Sequence, residues 1–289
     1  MKRWTKLGII AGGGNLPIRL ARSCDTTNSP YYVIRLKGYT DEALNAYDGE
    51  VVYIAEFGKL VRVLKEQGCD AVVMAGIVSR PNFAQLKPDW RAAALLPKVI
   101  AAARRGDGAL LNTLVELFEA EGFLVVGAEE VADNLFAPAG AIGQLAPSDR
   151  DLADLAKAAE VVKALGSFDV GQAAVVRNGH VLAIEAAEGT DAMLKRCASL
   201  PEDMRGYEPD EEIGRRGVLL KRPKPGQELR VDLPTIGIET VRNAAAAGLA
   251  GIAIEAEAGL IIDREDVAAA ADESGLFVYG FTGEDLQPR

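Results

Sequence analysis

The sequence predicts an α/β protein in which a Rossmann-like domain with a parallel sheet is joined by a linker to a second α/β domain with a mixed sheet. In the first half, short apolar runs typical of buried strands alternate with stretches of helical periodicity. In the second half, the pair Asn178-Gly179 separates two apolar runs and therefore predicts an antiparallel hairpin. A chain of 289 residues is long enough to form two hydrophobic cores.

The first half begins with a predicted strand at 7–11 and a predicted helix at 16–23, and the same alternation continues from there. Ligands of parallel sheets usually bind beyond the carboxyl ends of the strands, so we expect the site near the loops after Ala11 and Ala75. Further strands are predicted at 32–36, 51–55, 71–75 and 123–126, and further helices at 59–67 and 109–120.

The stretch 137–147 contains two prolines and two glycines, and we interpret it as the linker between domains spanning residues 1–136 and 148–289. Ser148 and Asp151 predict a capping box that opens a helix to about Leu165. The remaining predicted elements are strands at 173–177, 181–186, 218–221, 251–255, 260–262 and 276–279, and helices after Asp191, at 239–247 and after Asp263.

The net charge of −10 argues against general nucleic-acid binding, but the charge is uneven along the chain. The stretches 80–105 and 214–230 each contain six cations and one acid, which suggests anionic ligands or an anionic membrane surface. A solvated charged surface is the simpler alternative. No apolar run is long enough to cross a bilayer and no signal peptide is recognisable, so we expect a cytoplasmic protein.

Cysteine and histidine chemistry is not expected. The three cysteines are scattered, which fits buried thiols better than disulfides or a zinc site. The only histidine, His180, follows the hairpin turn, so a Ser-His-Asp or Cys-His apparatus lacks its base. The sequence also has no P-loop motif, which argues against a P-loop kinase. The kind of catalysis that remains is by carboxylates with Mg²⁺.

The first glycine-rich loop lies between a predicted strand and a predicted helix, where backbone can approach a phosphate closely. As a dinucleotide motif it is weak, because Pro17 occupies the final glycine position and 35–37 has no acid for an NAD ribose. A tight turn without a ligand is the structural alternative. The substrate-binding candidates in this loop are Gly12, Gly13, Gly14, Asn15 and Leu16.

A second loop ends the strand predicted at 71–75. Met74, Ala75 and Gly76 lie on the proposed ligand edge, and Arg80 is a candidate to hold a phosphate. An arginine without a partner is the alternative. Asp107, between two glycines, is interpreted as a helix cap, and a carboxylate placed near the ligand is the alternative.

Residues 221–240 combine cations, the lone Asp232 and a Gly/Thr turn before a predicted helix, which suits a phosphorylated ligand. Asp232 would repel phosphate unless a divalent cation lay between them. Asp232 and Asp191 are therefore the predicted catalytic residues, and Glu188 joins them as a predicted Mg²⁺ ligand. Acids that act only as helix caps are the alternative. Substrate-binding candidates here are Thr190, which is also a predicted N-cap, Lys224, Gln227, Thr235, Ile236 and Gly237.

Six blocks of the sequence together carry a family resemblance: 8–17, 75–81, 169–172, 185–193, 224–227 and 232–237. Taken in order, they resemble the LpxI family of UDP-2,3-diacylglucosamine pyrophosphatases. The resemblance implies Mg²⁺-dependent hydrolysis of UDP-2,3-diacylglucosamine to UMP and 2,3-diacylglucosamine 1-phosphate (lipid X) in lipid A biosynthesis. The family commonly has Gly-Asp-Asp where this chain has Gly106-Asp107-Gly108, so a two-carboxylate role is not carried over.

The acyl chains of such a substrate need apolar lining, which 83–86 and 92–99 would supply beside the first basic stretch. We therefore expect peripheral contact with the cytoplasmic face of the inner membrane, and we allow for a homodimer. One alternative is an NADP-dependent reductase in which Arg35 and Lys37 hold a 2′-phosphate. The other is a noncatalytic module that responds to nucleotides.

Overall fold

A computed structural model describes residues 2–201, 204 and 215–287, and the chain divides into two compact units. The first unit comprises Met1–Asp133 and Glu228–Asp232, and the second comprises Asn134–Gln227 and Leu233–Arg289. Five residues from the second half of the sequence thus belong to the unit built by the first half. Gly214, the first residue of the second basic stretch, lies outside the described residues.

The first unit contains a parallel sheet, as predicted, and its strand order is β3-β2-β1-β4-β5. The order reverses at β1, whose neighbours are β2 and β4, as in doubly wound sheets. Its elements are β1 (Leu7–Ala11), α1 (Asn15–Thr26), β2 (Tyr31–Leu36), β3 (Gly49–Val52), α2 (Phe57–Glu66), β4 (Ala71–Ala75), α3 (Trp90–Ala103), α4 (Asp107–Ala120), β5 (Leu124–Val125) and α5 (Ala128–Val131), with short 3₁₀ helices at Glu42–Ala46 and Phe83–Gln85.

The central strands of this sheet are apolar along their whole length because helices cover both faces. Every residue of β1 is buried, and in β4 only Met74 is partly exposed. Helix α2 buries one stripe, which includes Leu60 and Leu64, against the sheet. This core fixes the carboxyl ends of β1 and β4 beside each other.

The second unit contains a mixed sheet, again as predicted, and its strand order is β6-β13-β11-β9-β7-β8. β9, β11 and β13 are parallel, β7 is antiparallel to β8 and to β9, and β6 is antiparallel to β13. The described elements are β6 (Gly140–Ala141), α6 (Asp149–Gly166), β7 (Ala173–Arg177), β8 (His180–Ile184), α7 (Gly189–Ala198), β9 (Val218–Lys221), β10 (Thr235–Ile236), α8 (Ile238–Ala246), β11 (Gly251–Glu255), β12 (Leu260–Ile261), α9 (Arg264–Ser274) and β13 (Phe277–Phe281).

The stretch that we interpreted as a linker starts within the second unit. Ala137 and Ile142 are buried in its core, and between them β6 pairs with β13 at the sheet edge. The prolines and glycines of 137–147 therefore accompany a short edge strand, a position in which proline is tolerated.

Two local predictions are confirmed. Ser148 and Asp151 form the expected capping box of α6, with the Ser148 N–H donating to Asp151 Oδ2 at 2.9 Å. Asn178 and Gly179, with φ of 50° and 73°, form the turn between β7 and β8. Their N–H groups donate to the buried Asp154 carboxylate at 2.8 and 2.6 Å, which fastens the hairpin to α6.

The three cysteines are buried, as expected, and burial raises the pKa of Cys24 and Cys69 to about 11. Cys24 and Cys69 are therefore protonated at neutral pH. His180 opens β8 with its side chain exposed. Among the described residues, no helix has both the length and the apolar character needed to cross a bilayer.

Candidate active site

The two predicted ligand loops of the first unit meet at the carboxyl ends of β1 and β4. The Gly12 N–H donates to the Ala75 carbonyl at 2.8 Å. Gly13 and Ile77 exchange two backbone hydrogen bonds, each of 2.9 Å. The structure thus joins the candidates Gly12–Leu16 to the candidates Met74–Gly76, as the sheet topology predicted.

Glycine is required in these loops because the two backbones nearly touch. A Cβ on Gly12 would lie 2.7 Å from the Ile77 carbonyl oxygen. Gly76 has φ of +91°, and a Cβ there would lie 2.5 Å from the Gly13 carbonyl oxygen. Gly14 precedes α1 and offers no side-chain cap, so the first N–H groups of this helix have no side-chain acceptor from the N-cap. Such a helix start suits a phosphate.

Arg80 is paired with a carboxylate. Its Nη2 lies 2.6 Å from Asp107 Oδ1, and both side chains are at least half exposed. The prediction that Asp107 caps a helix is wrong, because Gly106 is the N-cap of α4 and Asp107 is its first residue. An exposed pair of this kind contributes little stability, so a stronger anion can compete for Arg80.

Arg35 is used by the fold. Its guanidinium donates to the backbone carbonyls of Leu44, Tyr47 and Gly49 at 3.0, 2.9 and 2.6 Å. These bonds tie β2 to the chain that leads into β3. Arg35 is one of the two cations that an NADP-dependent reductase would use to hold the 2′-phosphate, and it already binds backbone carbonyls. The other, Lys37, is exposed.

Asp232 lies in the 228–232 turn, which belongs to the first unit. The N–H groups of Val231 and Asp232 both donate to the Glu228 carbonyl, at 3.2 and 3.1 Å. Arg230 pairs with Glu228 at 2.7 Å and with Glu119 of α4 at 2.8 Å. The hydrogen bond from Arg230 lowers the pKa of Glu228, and the two carboxylates raise the pKa of Arg230. The turn is thus fastened to α4.

In the second unit, a buried lysine joins two of the predicted loops. Lys221 Nζ, at the end of β9, donates to Thr190 Oγ1 at 2.9 Å and to the Thr235 carbonyl at 3.0 Å. Thr190 Oγ1 donates to Glu185 Oε1 at 2.6 Å, and Glu185 Oε2 accepts from the Gln172 N–H at 2.9 Å. Lys221 is 5% exposed and Glu185 is 6% exposed. We call Glu185, Thr190, Lys221 and the Thr235 carbonyl the Lys221 network.

Lys224 and Gln227 extend this arrangement. Lys224 Nζ lies 2.5 Å from Asp169 Oδ1, and the Lys224 N–H donates to Gln227 Oε1 at 2.7 Å. Gln227 Nε2 in turn donates to Gln172 Oε1 at 3.2 Å. The segments 169–172 and 224–227, far apart in sequence, therefore form one hydrogen-bonded edge.

The acids near α7 have identified partners. Asp191 is exposed and accepts a hydrogen bond from Asn243 Nδ2 at 3.0 Å, while Glu188 pairs with Arg196 at 3.1 Å. The prediction that Thr190 is the N-cap is wrong, because α7 begins at Gly189 and its N-cap is Glu188. The threonine hydroxyl serves the Lys221 network instead.

Residues 235–237 lead into a helix as predicted. Thr235 and Ile236 form β10, and Gly237 is the N-cap of α8. The Gly237 N–H donates to Thr240 Oγ1 at 3.4 Å, and the Thr240 N–H donates to the Gly237 carbonyl at 3.0 Å. Gly237 has no side chain to cap the N–H groups of Ile238 and Glu239, and such a helix start suits an anion.

Carboxylate ligands for a metal are limited. Within the described part of the chain, no group of three or more His, Cys, Asp or Glu side chains is arranged to hold a metal ion. Mg²⁺ commonly needs only one or two carboxylates, with water and phosphate completing its shell. Asp232 and Asp191 have the right donor chemistry for that role, whereas Glu188 is already paired with Arg196.

Sequence reasoning missed three side chains of this region: Glu185, Lys221 and Asp169. Lys221 carried a usable signal, since it ends the apolar run 218–220 of a strand that must be buried. A charge at such a position needs a buried partner.

Comparison with known proteins matches both halves of the chain. The LpxI N-terminal domain matches residues 6–135 and the LpxI C-terminal domain matches residues 138–279. The chain is also 51% identical over 275 residues to the UDP-2,3-diacylglucosamine pyrophosphatase LpxI of Caulobacter vibrioides. That alignment covers 95% of this chain and 97% of the relative.

The glycine loops generate a stability prediction. Gly76→Ala is expected to lower the free energy of unfolding by about 3 kcal/mol, because the methyl group meets the Gly13 carbonyl in addition to the left-handed strain. Gly68→Ala is the matched control, since Gly68 also has positive φ (72°) but a Cβ there would meet no atom within 4 Å. It should lose only about 1 kcal/mol. Urea unfolding followed by circular dichroism measures both, and equal losses would refute the close approach.

Proposed function

This chain belongs to the LpxI family, and we propose on that basis that it hydrolyses the diphosphate of UDP-2,3-diacylglucosamine to UMP and 2,3-diacylglucosamine 1-phosphate (lipid X) in lipid A biosynthesis. The proposal depends chiefly on one observation, the 51% identity to the pyrophosphatase from Caulobacter vibrioides across 95% of this chain. The loops described above support it, because each unit has a glycine-led helix start and the second unit also has a basic edge, features that suit phosphate groups.

The alternatives have less support. An NADP-dependent reductase would need Arg35 for the 2′-phosphate, and that guanidinium is engaged by three backbone carbonyls. A noncatalytic nucleotide-responsive module is distinguished from an enzyme by turnover alone.

The proposed chemistry is water attack on one phosphorus with cleavage of the bridging P–O bond. Asp232 orients the attacking water or holds a metal, and it is the first choice for the catalytic residue. Lys224 and the amides of 235–237 bind the phosphate oxygens and offset the charge that develops on them. Catalysis of phosphoryl transfer depends mainly on positioning and charge stabilisation, so the reaction needs neither an imidazole base nor a thiol nucleophile.

The proposed cofactor is Mg²⁺, for which Asp232 and Asp191 are each a candidate carboxylate ligand. When bound, Mg²⁺ would supply positive charge to the diphosphate oxygens. Glu188 is the weakest of the three predicted ligands, because Arg196 already pairs with it. The proposal requires turnover to stop when a chelator removes divalent cations.

Asp232→Ala is expected to bind substrate and to lose at least ~100-fold in kcat, about 2.7 kcal/mol of barrier. Steady-state release of UMP measures this. Asp266→Ala is the control, since Asp266 is an exposed acid in the first turn of α9 and should leave kcat unchanged. Turnover of Asp232→Ala close to that of the unmodified chain would remove this residue from the mechanism.

We also propose that the chain works at the cytoplasmic face of the inner membrane, held there by α3. The sequence of α3 is largely apolar, yet only Ala102 and Ala103 are fully buried, and Trp90 is 82% exposed. The neighbouring Lys87 and Arg104 are exposed and form no ion pair with another described residue. An apolar helix flanked by unpaired cations suits a bilayer with anionic lipids. The homodimer stays a prediction.

Sedimentation with vesicles that contain phosphatidylglycerol tests the membrane proposal. The unmodified chain is expected to bind, and Trp90→Ser should weaken binding by roughly tenfold because an exposed indole anchors well at the interface. Tyr53→Ser is the matched control, since Tyr53 is 58% exposed in the same unit but outside α3. Absence of vesicle binding by the unmodified chain, or equal loss in both variants, would count against α3 as the anchor.

A further inference from the structure

We propose that Lys221 is a positioning residue for the hydrolysis: through the Lys221 network it fixes the start of α7, which carries Asp191, and the segment that leads into α8. The inference rests on the proposed function for its kinetic test. It assigns roles to Lys221 and Glu185, and it changes the role of Thr190 from a substrate contact to a bridge.

The charged groups of the Lys221 network are buried, so the hydrogen bonds between them matter for stability. A charged group removed from water destabilises the fold unless it is paired or hydrogen-bonded. Lys221 and Glu185 are 5% and 6% exposed, so each needs the partners that the network supplies. Loss of the Thr190 hydroxyl leaves Lys221 Nζ bonded to the Thr235 carbonyl and Glu185 bonded to the Gln172 N–H, but it removes the bonds that join these two buried charges to α7.

Thr190 is the bridge because its hydroxyl has one proton. That proton is donated to Glu185 Oε1 at 2.6 Å, and the hydroxyl oxygen accepts from Lys221 Nζ at 2.9 Å. In this arrangement the hydroxyl has no proton left for a phosphate oxygen. Thr190 therefore transmits the position of Lys221 to α7.

The network links segments that contain candidate site residues. Thr190 is followed directly by Asp191, the Thr235 carbonyl begins the segment 235–237, and Lys221 is followed by 222–224 at the end of β9. Binding groups must be held within a fraction of an ångström to work together, and buried supporting bonds provide that precision. The Lys221 ammonium group thus fixes the positions of both the start of α7 and the segment 235–237.

A double-mutant cycle tests the coupling. Lys221→Met keeps the length of the stem but removes the ammonium, and Thr190→Val keeps the shape of the threonine but removes the hydroxyl. Each single change is expected to lower kcat/KM by at least ~30-fold, and the double variant should be at most ~3-fold worse than the poorer single variant. Thr190→Ser should restore most of the activity, and Lys163→Met, an exposed lysine on α6, should have no effect. If the loss of kcat/KM in the double variant equals the product of the two single losses, the two residues act independently, and this result would overturn the network.

Amide hydrogen exchange separates this inference from the proposed function. In both Lys221→Met and Thr190→Val, exchange at 190–191 and 235–237 is expected to quicken by at least ~10-fold, while β11 stays protected. Faster exchange without any hydrolysis by the unmodified chain would keep the network and reject the function. Hydrolysis together with unchanged exchange would keep the function and reject the network. If Lys221→Met does not fold, Thr190→Val alone decides the matter, since it leaves both buried charges in place.

Discussion

Parallel pairing of strands is the constraint that places the candidate residues within each unit. In the first unit, Ala11 pairs with Ala75, so the glycine loops that follow both strands begin at the same level. In the second unit, Lys221 pairs with Ile254, and the next residues along, Arg222 and Glu255, form an ion pair of 3.2 Å. Parallel strands end at one edge, and the side chains with chemical functions therefore collect there.

Burial and hydrogen bonding assign some of the charged groups to the fold. Arg35 and Lys221 are both cations of the sheet region, but their side chains are engaged by backbone and side-chain acceptors within their units. Asp191 is exposed and Asp232 is half-buried in a turn, and carboxylate oxygens are the donors that a hard cation prefers. Lys221, at 5% exposure, thus supports the fold, whereas Asp191 and Asp232 are the carboxylates that we propose as metal ligands.

Much of the fold was predictable because buried strands have a strong apolar signal. The predicted bounds of β1, β4, β7, β9 and β11 agree with the structure, since each is an apolar run bounded by a polar residue or glycine. Helix α3 was not predicted as a helix, since it buries little and contains Pro97. Thr190 was misassigned because capping preference is local, whereas its hydroxyl bonds to Glu185, which tertiary packing brings near. The placement of Glu228–Asp232 in the first unit leaves no periodic trace in the sequence.

The central claim is that this chain uses water to split a sugar-nucleotide diphosphate with the help of a hard cation. The most direct measurement is ³¹P NMR of the reaction with UDP-2,3-diacylglucosamine in ¹⁸O-labelled water, using chelator-treated protein with and without added Mg²⁺. The account predicts equal amounts of UMP and 2,3-diacylglucosamine 1-phosphate, a single ¹⁸O atom in one of them, and no reaction until Mg²⁺ is added. Unlabelled products, or undiminished hydrolysis in the presence of chelator, would contradict it.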